Sequence, residues 1–511
     1  MAALSRRDWL AVAAGGLSAP WFVRHARAAD TERFALGIAS GCPRERTVVL
    51  WTRLTGEALP ETVKVDWQLA EDEGFERIVA RGSEEATAAW GHSVHAEPQG
   101  LAPGRWYWYR FSALGQRSIA GRTRTLPAAG AVEPLRFSIA SCQRWDHGHW
   151  AAWRQMAEDE LDLVLFLGDY IYEYPPVPGR VRAHEGIGLV RTLADYRNRY
   201  AQYKSDPALQ RMHARAPWIS VWDDHEVDND YAALQSQTLE DGFAFRRAAA
   251  YQAWWEHMPF PKRLRPRGAD MRIHEHYDWG ALARVLAVDD RQHRDPQACP
   301  KPGRGGSSTV LASQCAELFD PKRSLLGTAQ ERWLSESWRS ATPGAPRPWN
   351  LLAQQTLMAR FNWRDPASGD RSHWTDGWDG YPAARSRLLG EVARRDLPNV
   401  VVLGGDVHAH YVCDLHDDFD KPDSPVVATE FCGSSISSHG TEQARLNRAL
   451  PFNPHIRYGR SDQRGYMRFA LDERQLQAEL LAVDSPDDAN STVTVAARFT
   501  VESGRAGAQP A

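Results

Sequence analysis

Residues 163–172 read LVLFLGDYIY, an apolar run that ends abruptly at Gly168 and Asp169. The same arrangement recurs at residues 218–226 (WISVWDDHE) and 400–408 (VVVLGGDVH), where acidic and histidine side chains follow the apolar residues. Short apolar runs bounded by turn residues predict buried strands. In α/β sheets, ligands bind beyond the carboxyl ends of the strands. The polar residues at these strand ends are therefore expected to converge at one edge.

Strands and helices alternate around these three segments. We predict strands at residues 135–140, 163–168, 218–222, 284–288, 349–353 and 399–403, and helices near 150–157, 192–203, 242–258, 329–340 and 382–395. Two later strands, near 466–471 and 475–483, have an antiparallel pattern. This alternation predicts a largely parallel or mixed sheet flanked by helices.

The chain divides into segments of different character. Residues 1–28 contain Arg6-Arg7, a mildly apolar stretch and a small-x-small site at Ala26 to Ala28, and so resemble a twin-arginine signal. Short alternating runs between Gly and Pro turns predict a small all-β sandwich over residues 30–126. We expect a linker at 127–134, the catalytic part at 135–485, and a C-terminal extension with a flexible tail at 486–511. The signal predicts a periplasmic or extracellular protein that the twin-arginine export machinery has carried.

Composition excludes several classes of protein. The 61 basic and 65 acidic residues give a net charge of −4, which is unlike a nucleic-acid-binding surface. No apolar run beyond the first thirty residues approaches the length of a membrane span, so we expect no transmembrane anchor after cleavage. Cys299 with Cys315, and Cys413 with Cys432, are plausible disulfide pairs in an oxidising compartment.

The polar residues at the strand ends indicate a metal centre. Several carboxylates brought together without cations would have raised pKa values, and the charged forms would be destabilised. One group of candidate ligands is electron-rich and suits a strongly acidic ion such as ferric iron: Cys142, Asp169, Tyr172 and His408. A second group offers hard oxygen ligands for Ca²⁺, Mg²⁺ or Mn²⁺: Asp224, Asp406 and the amide of either Gln354 or Gln355. Asp169 is placed to bridge both.

These motifs resemble those of known metallophosphoesterases. The order of Asp169-x-x-Tyr172, Asp224-His225-Glu226 and Asp406-Val407-His408 is similar to the GD-x-x-Y, GNHE and GH-x-H motifs of purple acid phosphatases. The segments SCQ, LGDYIYEY, WDDHEVDND and GGDVH more specifically resemble the PhoD-type alkaline phosphatase and phosphodiesterase family. This resemblance implies an α/β (α+β) metallophosphoesterase-type β-sandwich flanked by helices. A small fibronectin III or immunoglobulin-like sandwich would precede it.

The resemblance also implies which residues bind the ions. Cys142, Asp169, Tyr172 and His408 would hold Fe³⁺, and Asp169 would be shared with a Ca²⁺ site that includes Asp224 and Asp406. Two positions depart from the PhoD pattern, because Cys42 and His293 stand where Asp and Tyr are expected.

The expected reaction is hydrolysis of a phosphoric monoester or diester. A metal-activated hydroxide would attack phosphorus in line, and His225 would stabilise or protonate the leaving oxygen. Arg291 and Arg294 are candidates to bind the phosphoryl group. The substrate could be a small molecule, an envelope polymer or a phospholipid.

The sequence argues against two covalent mechanisms and leaves two other functions open. A cysteine phosphatase would need arginine six residues after Cys142, where Gly148 stands, and Gly433-Ser434-Ser435 does not form a serine-hydrolase elbow. A phospholipase D-like activity on the same metal centre remains an alternative. So does an exported non-catalytic envelope-binding protein with a purely structural metal cluster.

Overall fold

The computed structural model describes residues 32–186, 188–421 and 423–511. The predicted signal, residues 1–28, lies outside the described residues. The strands are β1 (Ile38–Gly41), β2 (Val49–Arg53), β3 (Thr62–Ala70), β4 (Ile78–Thr87), β5 (Ser93–Ala96), β6 (Trp106–Ala113), β7 (Gln116–Arg117), β8 (Gly121–Arg124), β9 (Leu135–Ala140), β10 (Leu163–Leu167), β11 (Trp218–Val221), β12 (Glu275–Trp279), β13 (Ala283–Ala287), β14 (Thr309–Leu311), β15 (Trp349–Ala353), β16 (Ser372–Trp374), β17 (Val400–Gly404), β18 (His410–His416), β19 (Val426–Cys432), β20 (Ile456–Arg460), β21 (Arg464–Leu471), β22 (Gln475–Val483), β23 (Val493–Glu502) and β24 (Gln509–Pro510). The α-helices are α1 (Ala151–Met156), α2 (Leu193–Lys204), α3 (Pro207–His213), α4 (Phe243–His257), α5 (Thr328–Ser337), α6 (Pro382–Arg394) and α7 (Gln443–Ala449).

Two large mixed sheets form the main body. One has ten strands in the order β24-β23-β22-β21-β9-β10-β11-β1-β2-β5, and the other has seven in the order β12-β13-β15-β17-β19-β18-β20. Buried residues of both sheets share one core, including Ile139 and Leu165 of the first sheet and Leu351 and Leu403 of the second. Across this core the rings of Phe431 and Phe469 have centroids 5.4 Å apart. The main body is therefore a β-sandwich.

Local sequence signals set the ends of the helices. Thr192 and Asp195 form a capping box at the start of α2, and the Asp206 carboxylate accepts from two backbone N–H groups at the start of α3. Pro382 opens α6, where its missing N–H costs no helical hydrogen bond. The five predicted helices correspond to α1, α2, α4, α5 and α6.

The N-terminal β-rich segment is divided between two sheets. Strands β3, β4, β6, β7 and β8 form a separate antiparallel sheet, whereas β1, β2 and β5 extend the ten-stranded sheet. The two groups enclose a small core that includes Leu50, Val65, Val94 and Phe111. The segment is thus a sandwich, and one of its two layers is continuous with the sheet that carries β9, β10 and β11.

Two expectations need correction. Much of residues 486–511, expected to include a flexible tail, is paired structure: β23 lies antiparallel to β22, and β24 pairs with β23. The strand forms because apolar side chains alternate along Val493–Glu502. Cys299 and Cys315 form a disulfide, but Cys413 and Cys432 are buried free thiols. They lie on the neighbouring strands β18 and β19 but not opposite each other, because Cys413 is opposite Glu430 and Cys432 is opposite Tyr411.

Within residues 32–186, 188–421 and 423–511, no helix is both long and apolar enough to cross a bilayer.

Candidate metal centre

The predicted ligands follow the carboxyl ends of strands from both sheets. Strand β10 lies between β9 and β11 and runs parallel to each. Cys142 follows β9, Asp169 follows β10, and Asp224 follows β11. Asp406 and His408 follow β17 of the seven-stranded sheet. The edge predicted from the sequence therefore exists, and strands of both sheets contribute to it.

The backbone at four of these residues has a strained conformation. Cys142, Asp169, Asp406 and His408 have φ values of 58°, 59°, 63° and 52°. Left-handed backbone at residues other than glycine costs on the order of 1–3 kcal/mol each and is concentrated at functional sites. At Gly168, whose φ is 107°, an added Cβ would lie 2.5 Å from Cβ of Asp223. The loops after β10 and β11 are thus pressed together, which brings their carboxylates close.

The first ligand group is compact: Cys142, Asp169 and Tyr172 are buried, and His408 is half-buried. Ligand atoms of Cys142, Asp169 and His408 all lie within 4.8 Å of one another. The Tyr172 hydroxyl donates to Asp169 Oδ2 at 2.7 Å and lies 3.3 Å from His408 Nε2. The His408 Nδ1 atom lies 2.7 Å from the His439 carbonyl oxygen, which orients the ring with Nε2 toward Tyr172. The four residues predicted to hold Fe³⁺ are therefore adjacent.

The second group adjoins the first through Asp169. Ligand atoms of Asp169, Asp224 and His225 lie within 4.8 Å of one another. Asp406 Oδ2 accepts from the Thr356 hydroxyl at 2.7 Å. The two candidate amides differ, because Gln354 Oε1 accepts from Thr356 N and Trp378 Nε1. In contrast, Gln355 Oε1 is buried with no partner among the described residues.

Electrostatics of the site favour a bound cation. Burial, together with neighbouring carboxylates, raises the pKa of Asp169 well above its usual value and that of Asp406 to about 7. Burial and the Asp169 carboxylate also raise the pKa of the Cys142 thiol. Asp169 Oδ1 is buried and has no hydrogen-bond partner in the part of the chain that the structure describes. Cations would neutralise this cluster and use the unpaired oxygen, so the residues fit metal ions.

His225 is held by a carboxylate. Its Nδ1 atom lies 2.8 Å from Glu173 Oε2, and Glu173 Oε1 accepts from the Asn229 backbone N–H at 2.9 Å. Burial lowers the pKa of His225, but Glu173, Asp169 and Asp224 outweigh burial and raise it well above its usual value. The His225 ring is 4.2 Å from the Tyr172 ring, centroid to centroid. The Glu173 carboxylate therefore occupies Nδ1 and favours the protonated form of His225, and Nε2 is turned away from Glu173.

The two predicted phosphoryl-binding arginines lie in the interior. Arg291 and Arg294 are 0% and 1% exposed. Arg291 pairs with Asp223 and, at 2.7 Å, with Asp376, and Arg294 pairs with Asp376 at 2.9 Å. Substrate contact by either arginine stays a prediction. Their buried ion pairs favour a role in positioning the carboxylates near Asp224.

One structural residue of the site was missed from the sequence. Glu226 accepts hydrogen bonds from the backbone N–H groups of Asp169, Tyr170 and Asp223, at 3.1, 2.5 and 2.9 Å. It therefore joins the loops that follow β10 and β11. Glu226 stands next to His225 in the WDDHE segment, but the sequence carries no signal that distinguishes a carboxylate that binds backbone N–H groups from one that binds a metal ion.

Comparisons with known proteins identify the family. The family model for PhoD-like phosphatases matches residues 137–480 of this chain, and the family model for the N-terminal domain of PhoD-like phosphatases matches residues 19–127. The chain belongs to the PhoD-like phosphatase family. It is 42% identical over 492 residues to alkaline phosphatase D of Bacillus subtilis (strain 168), an alignment that covers 93% of this chain and 82% of that protein.

Solved structures agree with this assignment. A structure of PhoD matches with a TM-score of 0.86 and 40% identity, and the match covers 95% of this chain and 93% of that one. A purple acid phosphatase, PPD1 from yellow lupin (Lupinus luteus) seeds, matches with a TM-score of 0.57 at 11% identity over 91% and 73% of the two chains. The latter likeness shows the fold alone. Together they confirm the expected metallophosphoesterase-type fold.

Membership in this family makes the chain a phosphoric ester hydrolase of the alkaline phosphatase D type. The alternative of a non-catalytic envelope-binding protein finds no support. The tryptophans that such a protein would present as stacking platforms include Trp153 and Trp254, and both are 0% exposed.

Proposed function

We propose that this chain is an exported phosphomonoesterase and phosphodiesterase that works with Fe³⁺ and Ca²⁺. Cys142, Asp169, Tyr172 and His408 would hold Fe³⁺. Asp169, Asp224 and Asp406 would hold Ca²⁺, and the unpaired Gln355 Oε1 is a further oxygen available to it. The observation that carries the proposal is the convergence of a thiol, a phenol, an imidazole and carboxylates on strained, largely buried loops. Thiolate and phenolate ligands favour ferric iron, and an oxygen-only set favours Ca²⁺.

When bound, the ions would supply Lewis-acid chemistry, acidifying water for in-line attack and neutralising phosphoryl oxygens. The chain itself would supply the proton for the leaving oxygen. Glu173 occupies Nδ1 of His225, so Nε2 is the atom that would donate. The negative charge of Glu173 favours the imidazolium, which is the form a general acid requires.

Export is supported by the twin-arginine-like sequence at residues 1–28 and by the disulfide between Cys299 and Cys315. Disulfides persist in oxidising compartments such as the periplasm and the cell exterior. Fractionation of the producing cells, with and without Arg6→Lys and Arg7→Lys, would test this route. Retention of the double variant in the cytoplasm is the expected result.

The test of the catalytic proposal combines activity with metal analysis. Purified holoenzyme should hydrolyse bis(p-nitrophenyl) phosphate and p-nitrophenyl phosphate, and it should lose activity on treatment with a calcium chelator. Restoration by Ca²⁺ alone would assign the second site to calcium. A fully active preparation that contains zinc and neither iron nor calcium would refute the proposed ions.

A further inference from the structure

An arginine other than the two predicted ones borders the metal centre. Arg144 lies two residues after Cys142, and its side chain is 15% exposed. Its guanidinium carbon is 4.6 Å from the centre of the Tyr174 ring and 5.5 Å from the centre of the Tyr172 ring. Arg144 therefore lies against a candidate metal ligand while keeping access to solvent.

Buried groups hold Arg144 in one orientation. Asp146, whose side chain is fully buried, accepts from Nε at 2.7 Å and from Nη2 at 3.3 Å. The Arg144 backbone N–H donates to Ser438 Oγ at 3.3 Å, and the Ser438 hydroxyl in turn donates to the Tyr172 oxygen at 2.7 Å. The support of Arg144 is thus linked to the candidate ligand itself. Two of its guanidinium nitrogens are engaged, and no hydrogen bond or ion pair with a described residue engages Nη1.

Arg144 and His225 lie on the same aromatic pair. The His225 ring is 4.2 Å from the Tyr172 ring and 5.1 Å from the Tyr174 ring, centroid to centroid. Both side chains therefore lie within 6 Å of the centre of the Tyr172 ring.

The contrast with Arg291 is one of charge and access. Arg291 is 0% exposed and forms ion pairs with Asp223 and Asp376. Its positive charge is therefore already neutralised by buried carboxylates, and a ligand from solvent cannot reach it. Arg144 pairs with the single carboxylate Asp146, which engages Nε and Nη2 and leaves Nη1 without a hydrogen bond to any described residue. Planar guanidinium groups with free N–H donors are the usual protein partners of phosphate oxygens.

We propose that Arg144 binds a non-bridging oxygen of the substrate phosphoryl group through Nη1, with Asp146 as its positioning residue. This inference rests on the proposed function and names a substrate contact for the same site. Arg144 would make this contact from its position against Tyr172, whereas Arg291 and Arg294 form interior ion pairs with Asp376.

The first test uses inorganic phosphate as the probe, because its binding requires no turnover. Calorimetry on the metal-loaded Arg144→Gln variant should show phosphate affinity lowered by about 10- to 100-fold, the scale expected for losing a charge-assisted hydrogen bond. KM for bis(p-nitrophenyl) phosphate should rise by a similar factor. Iron and calcium content should equal that of the wild type. Arg144→Lys keeps the charge but loses the planar fork, so its affinity should be intermediate.

Arg180→Ala is the matched control. Arg180 faces the same Asp146 at 3.5 Å, is 35% exposed, and makes no ring contact with Tyr172 or Tyr174. Its removal disturbs the Asp146 cluster without removing the proposed contact. Phosphate affinity should therefore stay within about twofold of the wild type.

Three results would overturn the inference. These are unchanged phosphate affinity in Arg144→Gln, loss of iron from that variant, or an equal loss of affinity in Arg180→Ala. If Arg144→Gln fails to fold, Arg144→Lys and Asp146→Asn decide, and unchanged affinity in both would refute the contact. A wild-type enzyme that binds phosphate but does not hydrolyse the diester would refute the proposed function, while the binding measurements would still decide the role of Arg144.

Discussion

Replacing His225 by alanine should separate leaving-group chemistry from metal binding. His225 is 8% exposed, and its Nδ1 atom is bound at 2.8 Å to Glu173. In the proposed mechanism the imidazole is not a metal ligand, so the His225→Ala variant should retain iron and calcium. Removing a general acid typically costs 10²- to 10⁴-fold in kcat. That loss corresponds to about 3–5 kcal/mol of transition-state stabilisation.

The assay compares two diesters that differ in their leaving groups. Nitrophenolate departs with little need of a proton, whereas an alkoxide requires protonation. The kcat of His225→Ala should therefore fall by a larger factor on an alkyl ester than on the nitrophenyl ester. His416→Ala is a suitable control, because His416 is half-buried and lies within 2.7 Å of the Ser424 carbonyl oxygen. Equal impairment on both esters would refute the general-acid role, and loss of a metal ion would make His225 a ligand.

The remaining predictions concern the groups around His225. Glu173→Gln removes the negative charge that favours the imidazolium, so the pKa of His225 should fall. Because a general acid must be protonated, the alkaline limb of the pH–rate profile for the alkyl ester should move to lower pH. A limb that stays at the same pH would contradict this prediction. Cys142→Ser should lose bound iron, the visible charge-transfer absorption of that iron, and activity together, and Cys142 of the wild-type holoenzyme should resist alkylation. Full iron content in the variant would make Cys142 an ordinary buried thiol. Glu226→Ala removes the acceptor of three backbone N–H groups and should lower the free energy of unfolding, measured by urea denaturation, by about 3 kcal/mol or more. Glu226→Gln should be less destabilised because it keeps one acceptor oxygen. An unchanged denaturation midpoint in Glu226→Ala would contradict this prediction.

Local sequence patterns predicted individual elements well. Residues 349–353 and 475–483 are the strands β15 and β22 as expected, because apolar runs between turn residues carry their own signal. Assignment of strands to two sheets did not follow from the sequence, since it depends on packing between distant segments. The C-terminal strand Val493–Glu502 was missed because the Gly and Ala residues after it suggested a flexible tail. Its alternation of apolar and polar residues could have identified it.

The site shows the same division between local and long-range information. Sequence reasoning found the polar residues that end β9, β10, β11 and β17, and the structure brings them together. Sequence reasoning could not show that Arg291 forms ion pairs with Asp223 and Asp376, or that Arg144 lies against Tyr172. Both facts depend on how loops from separate strands pack, so spacing along the chain does not encode them.

The sheet topology also explains how the N-terminal segment serves the site. Without β1, the strand β11 that leads to Asp224 would be an edge strand of the ten-stranded sheet. Instead β1 lies parallel to β11, and the Cys42 backbone N–H donates to the Trp218 carbonyl at 3.0 Å. Beyond it, the Trp51 indole of β2 donates to the Glu256 carbonyl of α4. The N-terminal segment thus covers the edge next to a candidate ligand strand, so the support of Asp224 extends beyond the segment that carries the candidate ligands.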